Sequence, residues 1–450
     1  MTYAPGPSAA VKAPWHLSVL LLLIFAAAWP FDPSYSGHHQ DLTLDEMSQA
    51  VEKGGVQRPI ALCSLGLFAV LALLSKERSR LRVNGPLGFS LLFFLFLALA
   101  SPAWAEDPSL TVRRVGVLVL LSLGALAVAA RLSQIRTVAL AVCVCSFTLI
   151  ISLAVELASG TFRPFDGTWR FAGVVHPISQ GWNCGLLAIA SLALAGACPR
   201  SRKRFILLAL VALLFLGLTR SRMALASTIL ASTVYGTVLS AKVRKLTFVS
   251  AYLLLCASLL WISLGEDLGR TAQSIAALGR GEEGASSVST LSGRVPLWNE
   301  ELGYVRARPV LGYGYNAFLS PHNLRGVSQN SGWVPASPHS AYIGTLLDLG
   351  YLGAATFVLV LLLGLRRSLS LARNGPGAAF AAAVMIWLCC NLFLESGIIM
   401  EPTLPTFISM VIFASLSFKE NGACPSVRFI SSRRFLTRMP GTIGPRAGGA

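Results

Sequence analysis

The sequence contains few charged residues. Asp, Glu, Lys and Arg make up 13% of its 450 residues, whereas 54% of the residues are hydrophobic. This composition excludes a soluble globular protein, because the apolar runs repeatedly reach the ~20 residues that a helix needs to cross a bilayer. The runs also lack the two-residue alternation of membrane barrels, and lipid offers no hydrogen bonds to the backbone. The sequence therefore predicts an all-α polytopic membrane protein.

Metal-binding and catalytic sequence motifs are also scarce. Of the nine cysteines, all but Cys424 lie within or at the ends of apolar runs, and none has the CxxC or Cys/His spacing of a zinc site. The sequence has no GxSxG, Walker or HExxH motif. We therefore expect no disulfide framework, no metal and no cofactor.

The apolar runs predict about 12 transmembrane helices. Their starts lie near His16, Pro59, Pro86, Val115, Thr137, Gly181, Phe205, Met223, Leu246, Ser340, Gly377 and Pro405. One long polar insert, residues 265–338, interrupts this pattern. The predicted order is a cytoplasmic N-terminus (1–15), helices 1–9 (16–264), a periplasmic loop (265–338), helices 10–12 (339–418) and a basic cytoplasmic tail (419–450).

Lysine and arginine cluster in alternate loops, such as residues 76–82 and 200–204, and in the C-terminal tail. Most acidic residues, including Glu106, fall in the remaining loops. Because the cytoplasmic loops of membrane proteins carry the positive charge, both chain ends are predicted to lie in the cytoplasm. The net charge of +17 therefore requires no nucleic-acid partner, since anionic lipid at the inner leaflet also attracts it.

Four arginines break this charge pattern. Arg220 and Arg222 stand in a tight turn on the predicted outer side, and Arg163 and Arg170 lie in the outer loop that also contains His176. A pair of guanidinium groups suits bidentate binding of phosphate. The alternative is that the turn arginines snorkel at a helix boundary and that the loop arginines belong to a solvated surface.

The polar insert contains a predicted amphipathic helix at residues 295–306, with Arg294 at its N-terminal approach. Its apolar side is formed by Leu297, Leu302 and Val305. The two acidic residues, Glu300 and Glu301, are expected on other sides of the helix. Pro309, Gly312 and Gly314 then predict a glycine-rich turn, which allows the backbone to approach a ligand closely.

The insert ends next to His339, which is predicted to lie at the outer membrane surface where an apolar helix begins. Imidazole accepts a hydroxyl proton at neutral pH. A histidine close to arginines that hold a diphosphate therefore indicates acid–base chemistry on a lipid-linked substrate. A loop histidine without such neighbours has, more simply, a structural role.

Four segments stand out in chain order: LTRSRMALA, SGRVPLW, RPVLGYGYNAF and PHSAYIGTLLDLGYLG. Together they resemble the O-antigen ligase and polysaccharide polymerase superfamily of bacterial membrane glycosyltransferases. The specific resemblance covers Leu218 to Gly353, with looser similarity at Trp169 to Pro177 and Asn391 to Ser396. The ordered set is typical of the superfamily and does not separate its members.

The resemblance implies a GT-C-like enzyme of the bacterial inner membrane with its active site facing the periplasm. Such proteins transfer a glycan from undecaprenyl diphosphate to an acceptor hydroxyl, without a nucleotide sugar and without a metal. Arg222 and Arg294 match the family's arginines and are assigned to the diphosphate. His339 matches its catalytic histidine and is assigned as the general base on the acceptor.

The resemblance also ranks further residues. Arg220 and Arg170 are candidates for phosphate or glycan contacts, and Tyr342 is a supporting candidate. Glu395 is expected to orient a partner, because a carboxylate within a membrane span is by default functional. His322-Asn323 carries the His-Asn pair that the family often has, whereas His339 is followed by Ser340. We favour His339, because an aliphatic helix follows it.

Three functions remain open from the sequence. The first is an O-antigen ligase that attaches a glycan to lipid A-core, and the second is a polymerase of lipid-linked repeat units, which the TLSGR segment favours. The third and most distant is a transporter or flippase, for which broken mid-membrane helices and internal repeats are expected. The sequence shows no clear repeat, and Glu156 inside an early span is insufficient to indicate a proton path.

Overall fold

The computed structural model describes residues 44–45, 57–74, 80–83, 85–166, 169–240, 294–331 and 334–421. The predicted spans that begin near His16 and Leu246 lie outside these residues. So do the first part of the predicted loop, residues 265–293, and the tail from residue 422.

The described residues form helices joined by short turns. The helices are α1 (Gln57–Leu74), α2 (Gly85–Ala100), α3 (Pro108–Arg131), α4 (Gln134–Ala158), α5 (Pro177–Ala197), α6 (Arg202–Leu218), α7 (Arg222–Leu239), α8 (Arg294–Ala307), α9 (Pro321–Ser331), α10 (Ala341–Leu371), α11 (Pro376–Leu394), α12 (Gly397–Met400) and α13 (Leu404–Ser417). Two short strands, β1 (Arg80–Val83) and β2 (Phe418–Asn421), pair antiparallel, with Val83 opposite Phe418. The sequence pattern did not predict this small ladder.

Seven helices within the described residues are long and apolar enough to cross a membrane: α2 with the turn that follows it, α3, α4, α5, α7, α10 and α11. The apolar helix at Pro59–Leu74 and α13 are shorter. The prediction of a helical multi-pass membrane protein is thus confirmed, whereas the number of twelve spans and the boundaries of a periplasmic loop stay predictions.

Helix α3 begins earlier than predicted, at Pro108 and not at Val115. Asp107 caps it by accepting a hydrogen bond from the Leu110 N–H at 2.9 Å, and Pro108 at the first position needs no donor partner. The early start places Arg113 and Arg114 inside the helix.

Helix α5 lies at the centre of the bundle, and every residue from 180 to 190 is buried. Its glycines allow the close approach of other helices. A Cβ on Gly181 would lie 3.0 Å from the Ser221 Cβ, at the start of α7, and one on Gly185 would overlap the Thr228 hydroxyl. Helices α6, α7 and α11 pack around α5, and the N-terminal end of α7 lies near the C-terminal end of α11.

Helix α10 is interrupted at Gly350, where the backbone has φ +64° and ψ −164°. The loop after α8 fills the interruption with its own backbone. The Tyr313 and Gly314 N–H groups donate to the carbonyls of Leu347 and Asp348 at 2.9 and 2.8 Å, and Tyr351 N–H donates to Pro309 at 2.7 Å. The glycine-rich turn was expected to allow a close approach of its backbone, and in the structure the approach is to α10.

Replacing Gly350 by alanine is expected to lower the stability of the protein by at least ~2 kcal/mol, because the Cβ would overlap the Val310 carbonyl at a left-handed φ. Gly116→Ala is the matched control, since nothing lies within 4 Å of a Cβ at that helical glycine. We expect this variant to be neutral or slightly stabilising. Thermal unfolding in detergent measures both, and equal melting temperatures would contradict the role of Gly350.

Candidate active site

Glu395 connects two of the predicted site residues. It follows directly after α11 in extended conformation, and its side chain is 8% exposed. One carboxylate oxygen forms an ion pair with the guanidinium of Arg294, the first residue of α8. The other lies 3.8 Å from Nδ1 of His339, which is too long for a hydrogen bond but close enough for electrostatic attraction. Residues that are far apart in the sequence thus meet at one carboxylate.

His339 has an unusual backbone conformation for a residue with a side chain. Its φ is +51°, a value that costs energy and that clusters at functional sites. Helix α8 supports the segment, because Nε1 of Trp298 donates to the Pro338 carbonyl at 3.0 Å. Nδ1 faces Glu395, which leaves Nε2 as the ring nitrogen for proton transfer with a substrate. Both ring nitrogens are buried in this structure, so the 18% exposure of the side chain comes from its carbon atoms.

The turn between α6 and α7 is held by Asp166, Arg170 and Phe171, which precede α5 in the chain. Nε of Arg170 donates to the Thr219 carbonyl at 3.0 Å, and Arg220 donates to the Asp166 carbonyl at 2.9 Å. The Phe171 N–H also donates to the Leu218 carbonyl at 2.9 Å. Arg170 and Arg220 therefore shape the turn in which Arg222 stands, and their predicted contacts with phosphate or glycan stay predictions.

Arg222 is the first residue of α7, and it lies level with Glu395. The Asn391 amide donates to Ser227 Oγ at 2.7 Å, which joins α7 to α11 inside the bundle. Arg222, at the N-terminal end of α7, lies five residues before Ser227. Glu395, just after the C-terminal end of α11, lies four residues after Asn391. At 1.5 Å per residue these rises are ~7.5 and ~6 Å. The two helix ends therefore place Arg222 and Glu395 at about the same height.

Glu156 has a structural role in the loop. It lies near the end of α4, and one carboxylate oxygen accepts hydrogen bonds from the N–H groups of Ala172 and Gly173 at 2.8 and 2.7 Å. These two bonds account for one oxygen of the buried carboxylate and tie the end of α4 to the loop.

Tyr342 and His322 lie in different settings. The ring of Tyr342 packs against Phe357 and Phe393, with centroids 5.9 and 6.1 Å apart, so its described contacts are aromatic. His322 is exposed on α9, and the amide of its neighbour Asn323 donates to the Phe318 carbonyl at 3.0 Å. The structure thus joins His339, and not His322, to Glu395.

Glu301 was predicted to lie away from the apolar side of α8, and this prediction was wrong. Leu297, Glu301 and Val305 lie on one buried face, because they recur every four residues. Glu301 is 0% exposed, and within the described residues its carboxyl oxygens have no hydrogen-bond partner. Burial, together with the nearby charge of Asp348, raises the pKa of Glu301 to about 9.

The raised pKa of Glu301 predicts how the stability of the folded protein changes with pH. A carboxyl that keeps its proton when folded stabilises the protein fully below its unfolded pKa of 4.5, and the contribution is lost as the pH rises toward 9. We expect Glu301→Met to remove this loss, so that its melting temperature exceeds that of the wild type at about pH 8. Glu300→Met is the control, because Glu300 is half-exposed and accepts a hydrogen bond from Asn330 at 2.7 Å. Parallel pH profiles of all three proteins would contradict the prediction.

The sequence pattern missed three charged residues that lie on the helices α3 and α10. Asp348 accepts a hydrogen bond from the Phe318 N–H at 3.3 Å, and it lies near Arg114 on α3. Arg113 precedes Arg114 at the same end of the helix. Two signals were available: a carboxylate inside an apolar helix and a second arginine pair on the predicted outer side.

Among the residues that the structure describes, no group of three or more His, Cys, Asp or Glu side chains could hold a metal ion. Comparison with known protein families shows a match of residues 207–358 to the family model described as O-antigen ligase. No curated protein matches the sequence. The matched range includes Arg222, Arg294 and His339, and it ends before Glu395.

Proposed function

Because the chain carries an O-antigen ligase family domain at residues 207–358, we propose that it is a ligase-type glycosyltransferase. The family comprises glycosyltransferase-like ligases and polymerases, whose substrates are a lipid-linked glycan and a glycan acceptor in the membrane. The proposed donor is a glycan on undecaprenyl diphosphate. The proposed acceptor is a hydroxyl of lipid A-core at the periplasmic face of the inner membrane.

The observation that carries this proposal is the Glu395 carboxylate between Arg294 and His339. A diphosphate donor requires fixed positive charge, and a hydroxyl acceptor requires a base. The structure places an arginine and a histidine on two oxygens of one carboxylate. The carboxylate holds the guanidinium in place and favours the protonated imidazole that forms during proton transfer.

The proposed reaction uses each residue once. The acceptor hydroxyl gives its proton to Nε2 of His339 while its oxygen attacks the anomeric carbon of the donor sugar. The bond between that carbon and the diphosphate oxygen breaks, and its electron pair stays on the diphosphate. Arg222 and Arg294 neutralise the charge of the departing diphosphate, and no step of this scheme requires a metal.

A gel of lipopolysaccharide and secreted polysaccharide tests the proposal in cells that lack the protein and in cells complemented with the wild-type gene. A ligase predicts that uncapped lipid A-core accumulates while lipid-linked polymer persists. A polymerase predicts that single repeat units remain on the carrier or that secreted polymer disappears. Normal capping and normal polymer in the deleted strain would contradict both enzyme functions.

The interrupted helix α10 is the feature that a transporter would share. In transporters, carbonyls freed by an interruption coordinate a substrate or an ion. Here the carbonyls of Leu347 and Asp348 accept hydrogen bonds from the loop after α8. The interruption therefore anchors the loop that follows Arg294, which supports the enzyme proposal.

A further inference from the structure

An elongated apolar cavity of about 300 Å³ lies between α2, α3, α10 and α13. Along α2 it extends from Leu91 to Leu99 and along α3 from Leu118 to Leu126, which corresponds to ~12 Å of each helix. Along α13 it extends from Met410 to Ala414, and Phe418 of β2 also lines it. A length of ~12 Å is less than half of the ~30 Å thickness of a bilayer core, so the cavity has room for part of a hydrocarbon chain.

The cavity is open to lipid on one side. Leu92 and Leu99 of α2 line it, and they are 40% and 53% exposed, so a chain can enter from the membrane. The lining is otherwise almost entirely aliphatic and aromatic. Its polar groups come from Tyr315, Thr345 and Asp348, near the outer end, and from Ser122 of α3.

The outer end of the cavity adjoins the segments that carry the candidate active site. Thr345 follows His339 by six residues, and Met400, which also lines the cavity, follows Glu395 by five. A Cβ on Gly344 would lie 2.8 Å from Met400 Cε and 3.5 Å from Pro338 Cγ. A lipid chain in this cavity would therefore keep its headgroup beside His339.

The cavity is separate from the helices that hold the proposed donor site. Among the described residues that line it, none belongs to α7 or α11, whose outer ends carry Arg222 and Glu395. Helix α11 packs against both α7 and α10. A diphosphate at Arg222 would therefore have its carrier chain beside helices that do not line the cavity.

We propose that the cavity holds an acyl chain of the acceptor glycolipid. This assignment rests on the proposed transfer between two lipid-anchored substrates. Leu118, Ser122 and Leu126 of the lining recur every four residues on one side of α3, and Arg114 lies on the same side, one turn before Leu118. Arg113 is exposed next to Arg114. The outer end thus combines two arginines with the carboxylates of Asp348 and Glu401, which interact with Arg114. Guanidinium groups at this height suit the phosphates of an anionic glycolipid such as lipid A-core.

Binding of lipid A-core and of undecaprenyl diphosphate to the full-length protein in nanodiscs tests the proposal. Ser122→Trp fills the cavity, and Leu126→Trp is a second variant in case the first folds poorly. Ala154→Trp is the matched control, because Ala154 is exposed on α4 away from the cavity. We expect both cavity variants to weaken lipid A-core binding about tenfold, because the acyl chain loses its apolar contacts, and to leave undecaprenyl diphosphate binding unchanged.

Two results would overturn the proposal. Weaker binding of undecaprenyl diphosphate alone would assign the cavity to the donor's carrier chain. Unchanged binding of both lipids to well-folded cavity variants would show that neither substrate uses it. The proposed function itself is tested separately by glycan transfer in the wild-type protein, so its failure is distinguishable from the failure of the cavity assignment.

Discussion

Replacing His339 by alanine is expected to lower glycan transfer by about 10²- to 10⁴-fold, the range for loss of a general base. The protein should still reach the membrane, because the His339 side chain is 18% exposed and lies before α10. A transporter, in contrast, would move its substrate without this base. Transfer is measured with a lipid-linked donor and an acceptor in membranes that contain equal amounts of each variant.

His322→Ala is the matched control for this experiment. His322 is exposed on α9, outside the cluster around Glu395, and we expect its replacement to leave the transfer rate within about twofold of the wild type. Loss of transfer in His322→Ala with normal activity in His339→Ala would reverse the assignment of the base. Normal transfer in both variants would show that neither histidine is the general base.

Replacing Glu395 by glutamine is expected to have the second large effect, because it leaves Arg294 largely buried without its counter-charge. Breaking such a pair costs of order 3 kcal/mol of stability. We also expect the rate of transfer to fall by about 10²-fold, since both the Arg294 guanidinium and the imidazole of His339 lose their fixed negative neighbour. Thermal unfolding and the transfer assay measure the two effects independently.

The double variant Glu395→Gln/Arg294→Gln separates the two effects. It removes the buried pair as a unit, so we expect much of the stability to return while transfer stays low. Glu106→Gln is the surface control, because Glu106 and Arg308 lie 3.9 Å apart and are partly exposed, where an ion pair contributes little. Recovery of transfer in the double variant would refute the catalytic role of Arg294.

The sequence proposed the residues of the candidate site, and their roles stay predictions. Resemblance to the superfamily proposed Arg222, Arg294 and His339, and the intramembrane position of Glu395 led to the expectation that this residue orients a partner. Only the structure identifies Arg294 and His339 as the partners of Glu395, because Arg294 and Glu395 are 101 positions apart in the sequence. The failure at Glu301 has a similar cause. Its charge favoured an exposed side of α8, but the packing of α8 on α10 buries the face that it shares with Leu297.

The sequence by itself determined that the chain is a helical membrane protein and where most of the described helices begin. Lipid imposes that result locally, since each span must be apolar and must satisfy its own backbone hydrogen bonds. Only the tertiary structure decided that Glu395 meets both Arg294 and His339, and that Gly350 interrupts α10 to receive the loop after α8. These contacts depend on how helices distant in the sequence pack together, which the hydrophobicity of any one span does not specify.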